Sequence, residues 1–512
     1  MKIAIIGSGV AGLTAGAFLA QQGHQVTLFE QYHRAGGVTA PYRRQGYTWD
    51  LGQLLVEGLG PDEPLGGVLA ELGLTEQVPV QIEDRGYVFP DFALTKPEQY
   101  QGVEWRIRRL KEIFPEEAAG LDRYWADYKR FVSVMTFARR IEASSGASAL
   151  YWKLRLFLKA LPLMARQNWN AQEVMDDYFE SNRLKMVFTS ILADFFTAPH
   201  EFPGLGVFAL NPEISFDKRM PRELAQDTVQ IPLYSVLGGI GTLVDALVGS
   251  IESHGGEVLT SRPITGIVVE NGRATGVVDS EGTLVPADVV IASGSAKRTF
   301  LELVGEEHLP PEFADNVRSI PLMDSVFMLH LGVDFDPSPH VHGVCTYYYG
   351  TYDLDRALAD GAGGVYHEGR DGFVVHIPSL HSPEMAPPGK QAMTIYTICP
   401  DRLKDGEWEE LKEEYADKLI AYAEKYIPGL SDHIQVCEIL TPKDWRTRTH
   451  LDHHAFGGIK PVMGAWRVPY QSPVDGLWFV GAQSESGGGL FAVIPGAFKA
   501  AKQIHQIGPH RS

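Results

Sequence analysis

Cysteine is scarce in this chain of 512 residues: Cys345, Cys399 and Cys437 stand far apart and alone. Thiols so few and so spaced offer neither a disulfide framework nor a cysteine-built metal site, and they suit a reducing, cytoplasmic setting. Positive charge is also short. Asp and Glu number 64 against 45 Lys and Arg, a net charge of -19. A nucleic-acid partner needs clustered cations that displace counterions, so that class is set aside. Beyond the N-terminal stretch there is no clean apolar run of about 18 residues or more, so no membrane-spanning helix is expected. Lys2 and the Ala-rich apolar run behind it have the outline of a secretory signal, but the spaced glycines inside that run would serve no purpose in one.

What is present is ordinary globular material, 44% apolar and 21% charged, long enough for two or three domains. Lys2–Ile6 reads as a buried strand, Ala11–Gln22 as a helix and Gln25–Phe29 as a second strand. A polar, Gly/Pro-rich stretch runs to about Asp62, and the pattern is then mostly helical to about Gln226. Thr242–Ser253 reads as a helix closed by Gly255-Gly256. Ile264–Glu270 and Ala274–Asp279 flank an Asn271-Gly272 hairpin turn, and Val289–Ala292 and Leu477–Val480 are short buried strands. The α/β pieces fall at 1–60, 227–300 and 440–512, with less regular sequence at 61–226 and 301–439. The expected fold is therefore α/β: a discontinuous Rossmann-like nucleotide-binding domain carrying an inserted mixed α+β substrate domain.

The chemistry begins at Gly7-Ser8-Gly9-Val10-Ala11-Gly12. Gly7 permits the tight turn out of the strand, Gly9 lets the backbone approach a pyrophosphate, and Gly12 lets the helix pack on the sheet. Val10 and Ala11 open a helix whose free N–H groups and positive end face the phosphates. Glu30, closing the second strand, is placed to accept from a ribose hydroxyl. Two further glycine turns select FAD over NAD. Arg34-Ala35-Gly36-Gly37 follows Glu30 closely. Gly481-Ala482 and Gly487-Gly488-Gly489-Leu490 form a late strand-to-helix junction that can fold back and aim backbone N–H groups at a flavin ring. Gly238-Gly239-Ile240-Gly241 has no acidic partner downstream. A separate NADPH site is not expected, and oxygen or a quinone would then be the electron acceptor.

Together with Gly46-Tyr47-Thr48-Trp49-Asp50-Leu51-Gly52, these motifs resemble the phytoene-desaturase/retinol-saturase branch of the flavin amine-oxidase superfamily, in order along the whole chain. The resemblance implies FAD in a glutathione-reductase-like domain, Ile264 on the strand beside the adenine, and Gly52 and Gln53 near the flavin. It implies desaturation or saturation of a C–C bond in an apolar, isoprenoid- or carotenoid-like substrate. There are departures. Val38 stands where many relatives carry Arg, Glu485 where bacterial carotene desaturases usually carry His, and Leu490-Phe491 where they carry an apolar-Pro pair.

Two other functions stay open from the same residues: amine oxidation, and non-catalytic binding of a prenyl or lipid group. Glu485 is the candidate general base, on the expectation that an apolar pocket raises its pKa. His453, beside His454, is a weaker one, and no metal is expected there. Residues 131–169 interleave Arg139, Arg140, Lys153, Arg155, Lys159 and Arg166 with Trp152, Leu154, Leu156, Phe157, Leu158, Leu161 and Trp169. Such a stripe either rests on an anionic membrane surface, on the inner face of the membrane for a cytoplasmic protein, or packs on the core with its charges solvated. Tyr347-Tyr348-Tyr349 and Trp445 either line an apolar tunnel or fill the core.

Overall fold

The computed structural model describes residues 1–52, 54–142, 144–221, 232–451 and 458–507. Its centre is a five-stranded parallel sheet in the order Glu257–Leu259, Gln25–Phe29, Lys2–Ile6, Val289–Ser293, Leu477–Val480. Side chains alternate across this sheet, and the alternation sorts two cores. Ile3, Ile5, Val289, Ile291, Trp478 and Val480 face helices Val10–Gln21, Gly241–Ser253 and Leu490–Ile507. Ala4, Val290, Ala292, Leu477 and Phe479 face the opposite way. There they meet a three-stranded antiparallel sheet of Ile264–Glu270, Arg273–Asp279 and Leu284–Pro286. Its first hairpin turns where expected, with Asn271 at φ 51° and Gly272 at φ 79°, the left-handed pair that matches strand twist.

A second sheet of seven strands runs Ile434–Leu440, Ser325–Val333, Gln391–Cys399, Gly372–His376, Cys345–Tyr349, Arg85–Val88, Ala93–Leu94. All its pairings are antiparallel except the parallel one between Cys345–Tyr349 and Arg85–Val88. One face packs on helix Trp408–Ala423 through Phe327, Leu329, Phe373 and Ile395. The other carries Met328, Cys345, Val374 and Tyr396 and looks into the interior. Helices Trp105–Ile113, Ala118–Glu142, Ala171–Tyr178 and Asn182–Thr189 form a lobe beside it, with an aromatic core of Tyr124, Tyr128, Phe179, Phe188 and Phe208. Arg106 lies inside this lobe, fully buried, and is neutralised by Glu213 at 2.7 Å.

Two parts of the reading are corrected. The stretch before Asp62 holds a hairpin, Pro41–Arg44 with Tyr47–Asp50, and the supposedly helical stretch after it holds strands Val80–Glu83, Arg85–Val88 and Ala93–Leu94. These strands have mixed polarity and too few residues for a period to emerge, and distant partners make them. Val80–Glu83 pairs with Leu233–Val236, and Arg85–Val88 with Cys345–Tyr349.

The 41–50 hairpin is tied to the nucleotide-binding half by one buried carboxyl. Asp50 Oδ1 accepts the Ile240 N–H at 2.8 Å, and a side chain on Gly239 would stand only 2.7 Å from that oxygen. Burial pushes the Asp50 carboxyl up from 3.8 to about 7, against the pull of the Ile240 N–H. The folded pKa lies above the unfolded one, so folding favours the protonated form. Stability is then complete below about pH 4 and declines as pH rises through about 7. Relative to Asp50→Asn at equal flavin saturation, the wild-type unfolding free energy should fall across this window, by up to about 4 kcal/mol. Denaturant titrations at pH 5 and pH 8 check it, and a constant difference between the two proteins would refute it.

Candidate functional site

The glycine turn at the head of the parallel sheet is built by exclusion of side chains. Gly7 sits at φ 95° and donates its N–H to Phe29 O at 2.8 Å. A Cβ on Gly12 would stand 2.1 Å from Gly7 O, so the helix can lie this close to the turn only without one. Gly9 caps helix Val10–Gln21 with no side chain bonded to the first-turn N–H groups. Those groups, at Val10 and Ala11 among them, form the positive end of a helix, ready for an anion.

Glu30 is where the second strand should place it. It is buried, takes the Ser8 N–H at 2.9 Å and the Ser8 hydroxyl at 2.5 Å on Oε2, and takes the Tyr32 N–H at 2.8 Å on Oε1. The carboxylate is thus held rigid with lone pairs left for a ligand. The second glycine turn lies directly against the first. Gly36 donates to Ser8 O at 3.0 Å, and a Cβ on Gly37 would meet Gly9 Cα at 3.3 Å. Arg262 donates its N–H to Glu30 O at 2.8 Å, which lays the start of the Ile264 strand beside Glu30.

The late glycine motif folds back as expected. A Cβ on Gly481 would stand 3.7 Å from Ala11 Cβ, so Gly481 and Ala482 reach the same helix end. Gly481 O accepts the Ser484 hydroxyl at 2.7 Å, and Leu490 is buried at the start of the last helix just past the exposed Gly489. Gly52 is half-buried at the end of the 41–50 hairpin, while Gln53 and His453 lie outside the described residues. Glu485 departs from its expectation. Its side chain is exposed rather than buried, on a loop where its own N–H donates to Val468 O at 2.7 Å.

Arg448 was not found from sequence. It lies in the last turn of helix Pro442–Thr449 with no motif around it, and only the fold brings it to the glycine turns. Its Nε donates to Gly37 O at 2.9 Å and its guanidinium lies 4.3 Å over the Tyr32 ring. Burial lowers the pKa of Arg448, with Arg34 lowering it further and Tyr32 and Glu30 opposing. Burial and then Arg43 lower that of Arg34. Mutually repelling arginines beside a glycine cradle and a free helix N-terminus are a donor set made for a diphosphate.

A cavity of about 300 Å³ is lined by Phe196, Leu322, Leu358, Tyr366 and Ile398 together with Asp324, His367, Asp371 and Lys460. A smaller chamber shares Ala357, Asp371, Thr397 and Ile398 with it and adds Asp194, Tyr347, Tyr349 and Tyr396. The tyrosine run stays together: Tyr347, Tyr348 and Tyr349 all border the chamber, Tyr348 also packing against Phe373 and Tyr426, whereas Trp445 is core, donating to Val326 O at 3.1 Å. Burial raises the Asp194 carboxyl to about 6, with Arg85, Tyr347 and Tyr396 pulling back.

The basic stripe divides: Phe131 and Trp169 pack against the helical lobe and Arg166 pairs with Asp127 and Asp177, while the helix between them does not pack on the core. Helix Gly146–Met164 leans on Ala118–Glu142 and buries Leu163 alone among its residues. Leu150, Leu154, Phe157, Leu158, Leu161 and Met164 are 44–70% exposed. None of the described helices is long and apolar enough to cross a membrane.

Comparison with known proteins agrees with this geometry. The family described as flavin containing amine oxidoreductases matches residues 10–504. The chain is 27% identical over 538 residues to pyridine nucleotide-disulfide oxidoreductase domain-containing protein 2 of Rattus norvegicus, covering 95% of this chain and 90% of that one. It is 26% identical to a 4,4'-diapophytoene desaturase (4,4'-diapolycopene-forming) of Methylomonas sp, over 98% and 95% of the two chains. Cyclohexylamine oxidase from Brevibacterium oxydans shares the fold, with TM-score 0.59 and 15% identity over 99% of each chain.

Gly12→Ala places a methyl 2.1 Å from a backbone oxygen, which the turn can relieve only by moving. The variant should purify with its flavin depleted by roughly tenfold or more, because the phosphate-binding N–H groups move with the turn. Flavin absorbance per protein checks it, and a wild-type ratio would refute the placement.

Proposed function

The chain belongs to the flavin containing amine oxidoreductase family and is a FAD-binding oxidoreductase, and we propose that it desaturates or saturates C–C bonds of an apolar, isoprenoid-like substrate at a membrane surface. Bound FAD supplies a hydride acceptor at its N5. The observation that carries the substrate class is the cavity, whose apolar walls include Phe196, Leu322, Leu358, Tyr366 and Ile398, with Asp324, His367, Asp371 and Lys460 also on its lining. Apolar walls bind a hydrocarbon chain by taking it out of water, at about 25 cal/mol per Å² buried. The 26% identity to a diapophytoene desaturase points the same way.

The chain's own residues divide the work. Gly7, Gly9, Gly12, Gly36 and Gly37 leave room for the pyrophosphate, with Val10 and Ala11 N–H groups facing it and Arg34 and Arg448 balancing its charge. Glu30 would hold the ribose, and the Ile264 strand would flank the adenine. Gly52, Gly481, Ala482, Gly489 and Leu490 would border the ring. Glu485, being exposed, is not assigned as the base. Oxygen or a quinone takes the electrons onward.

The outer helix supplies the route from the bilayer. Gly146–Met164 has no acidic residue, presents Lys153, Arg155 and Lys159 among exposed Leu and Phe side chains, and stands out on a protein of net charge -19. Apolar side chains inserted among anionic headgroups, with cations beside them, fit that surface.

Two measurements test this reading. Anaerobic addition of isoprenoids should bleach the flavin bands while amines leave them unchanged, and bleaching by amines alone would replace it with amine oxidation. The wild type should float with phosphatidylglycerol vesicles and much less with phosphatidylcholine, and Leu154→Asp/Leu158→Asp should abolish flotation while keeping its flavin. Unchanged flotation of that variant would remove the membrane contact.

A further inference from the structure

One carboxylate in the smaller chamber is not committed to an ion pair. Asp194 lies on the short turn Ser190–Phe195, is half-buried, and borders the chamber together with Tyr347 and Tyr396. The other carboxylate on that lining, Asp371, is already paired with Arg356 and His367. Asp194 has hydroxyl partners instead, since the Tyr347 and Tyr396 side chains are both within hydrogen-bond reach of it. Two such donors orient a carboxylate and leave it lone pairs for a third partner.

Strand register places this group on the reacting side of the molecule. Tyr347 pairs with Val374, Val374 with Tyr396, and Tyr396 with Met328, so these side chains share one face of the seven-stranded sheet. Tyr396 and Met328 belong to a buried cluster that also holds Ala40 and Leu51, the residues on either side of the 41–50 hairpin that leads to Gly52. Phe196, just past the Asp194 turn, joins the same cluster and lines the larger cavity. Burial pushes the Asp194 carboxyl up to about 6, while Arg85 and the two tyrosine hydroxyls hold it down. Tyr87, Tyr349 and Cys345 also face it, and burial keeps all three protonated. A carboxyl so placed is ionised at neutral pH and can still take a proton.

We propose that Asp194 is the catalytic proton acceptor of the C–C desaturation, held in place by the hydroxyls of Tyr347 and Tyr396. The assignment rests on the cavity and its chamber being where the apolar substrate binds. One substrate C–H bond gives its hydrogen and electron pair to FAD, which is reduced. The neighbouring C–H bond gives its proton to the Asp194 carboxylate, and its electron pair becomes the new π bond. Positive charge grows on the substrate carbon as the hydride leaves, and an apolar chamber offers it no solvation. A single carboxylate beside that carbon steadies the charge and removes the proton that the charge has made acidic. The acid so formed loses its proton when the reduced cofactor passes both electrons to oxygen or a quinone. Run in the direction of saturation, the same group gives the proton.

The test is anaerobic stopped-flow bleaching of the flavin-loaded protein by phytoene and by 4,4'-diapophytoene in liposomes. The base must be ionised, so wild-type bleaching should slow as the pH falls through about 6. Asp194→Asn should lower the limiting rate by roughly a hundredfold or more and lose this pH limb, with the half-saturating probe concentration within about threefold of wild type. Asp194→Glu should recover part of the rate together with a pH limb. A second readout needs no substrate. Infrared difference spectra between pH 5 and pH 8 should show a carboxylic-acid carbonyl band in wild type that Asp194→Asn lacks. A wild-type rate that is flat between pH 5 and pH 8 overturns the assignment without recourse to any variant. So does an Asp194→Asn variant that keeps the wild-type rate, or that changes only the half-saturating concentration. Failure of both probes to bleach the wild-type flavin overturns the apolar-substrate reading and the assignment with it.

Discussion

The Gly7 carbonyl and the Gly12 Cα share a space that no side chain can enter. That contact sets how closely the first helix lies on the parallel sheet, and so where its N–H groups point. The same turn receives the second glycine loop through Gly36 and the last one through Gly481. Three glycine turns from distant parts of the chain thus converge on one helix end. Gly12 and Gly37 do so by giving up a side chain at the point of contact, and Gly481 by a left-handed φ of 115°. Glu30 and the arginines are then placed around that point at fixed reach.

Residues that act through local backbone were legible in the sequence. The glycine turns carry their own conformational demand, and the strand Lys2–Ile6 and the turn Asn271-Gly272 each declare themselves within a few residues. Glu30 was legible because a strand of known length carries it there. Arg448 and Asp194 were not. Each acquires meaning only from what long-range pairing brings beside it: Gly37 and Tyr32 for one, Tyr347 and Tyr396 for the other. Glu485 was misjudged for the same reason in reverse. Its motif was sound, but whether one side chain on the loop is buried depends on how distant segments pack, which no local pattern announces.

The molecule keeps its polarity in unusual places. Its acidic surface is interrupted by a basic, apolar helix, and a fully buried arginine, Arg106, sits inside the helical lobe with Glu213 as its counterion.

The parallel sheet also has a consequence for how the protein is made. Its fifth strand, Leu477–Val480, pairs with Val289–Ser293 across nearly two hundred intervening residues, as the register shows. Until the ribosome has released that strand, the Val289–Ser293 edge stays open and the cofactor cradle lacks Gly481. The inserted domain can settle early on its own contacts, but the nucleotide-binding half must wait. During that wait an uncovered hydrophobic strand edge is open to pairing with other nascent chains, an exposure that the inserted domain does not share.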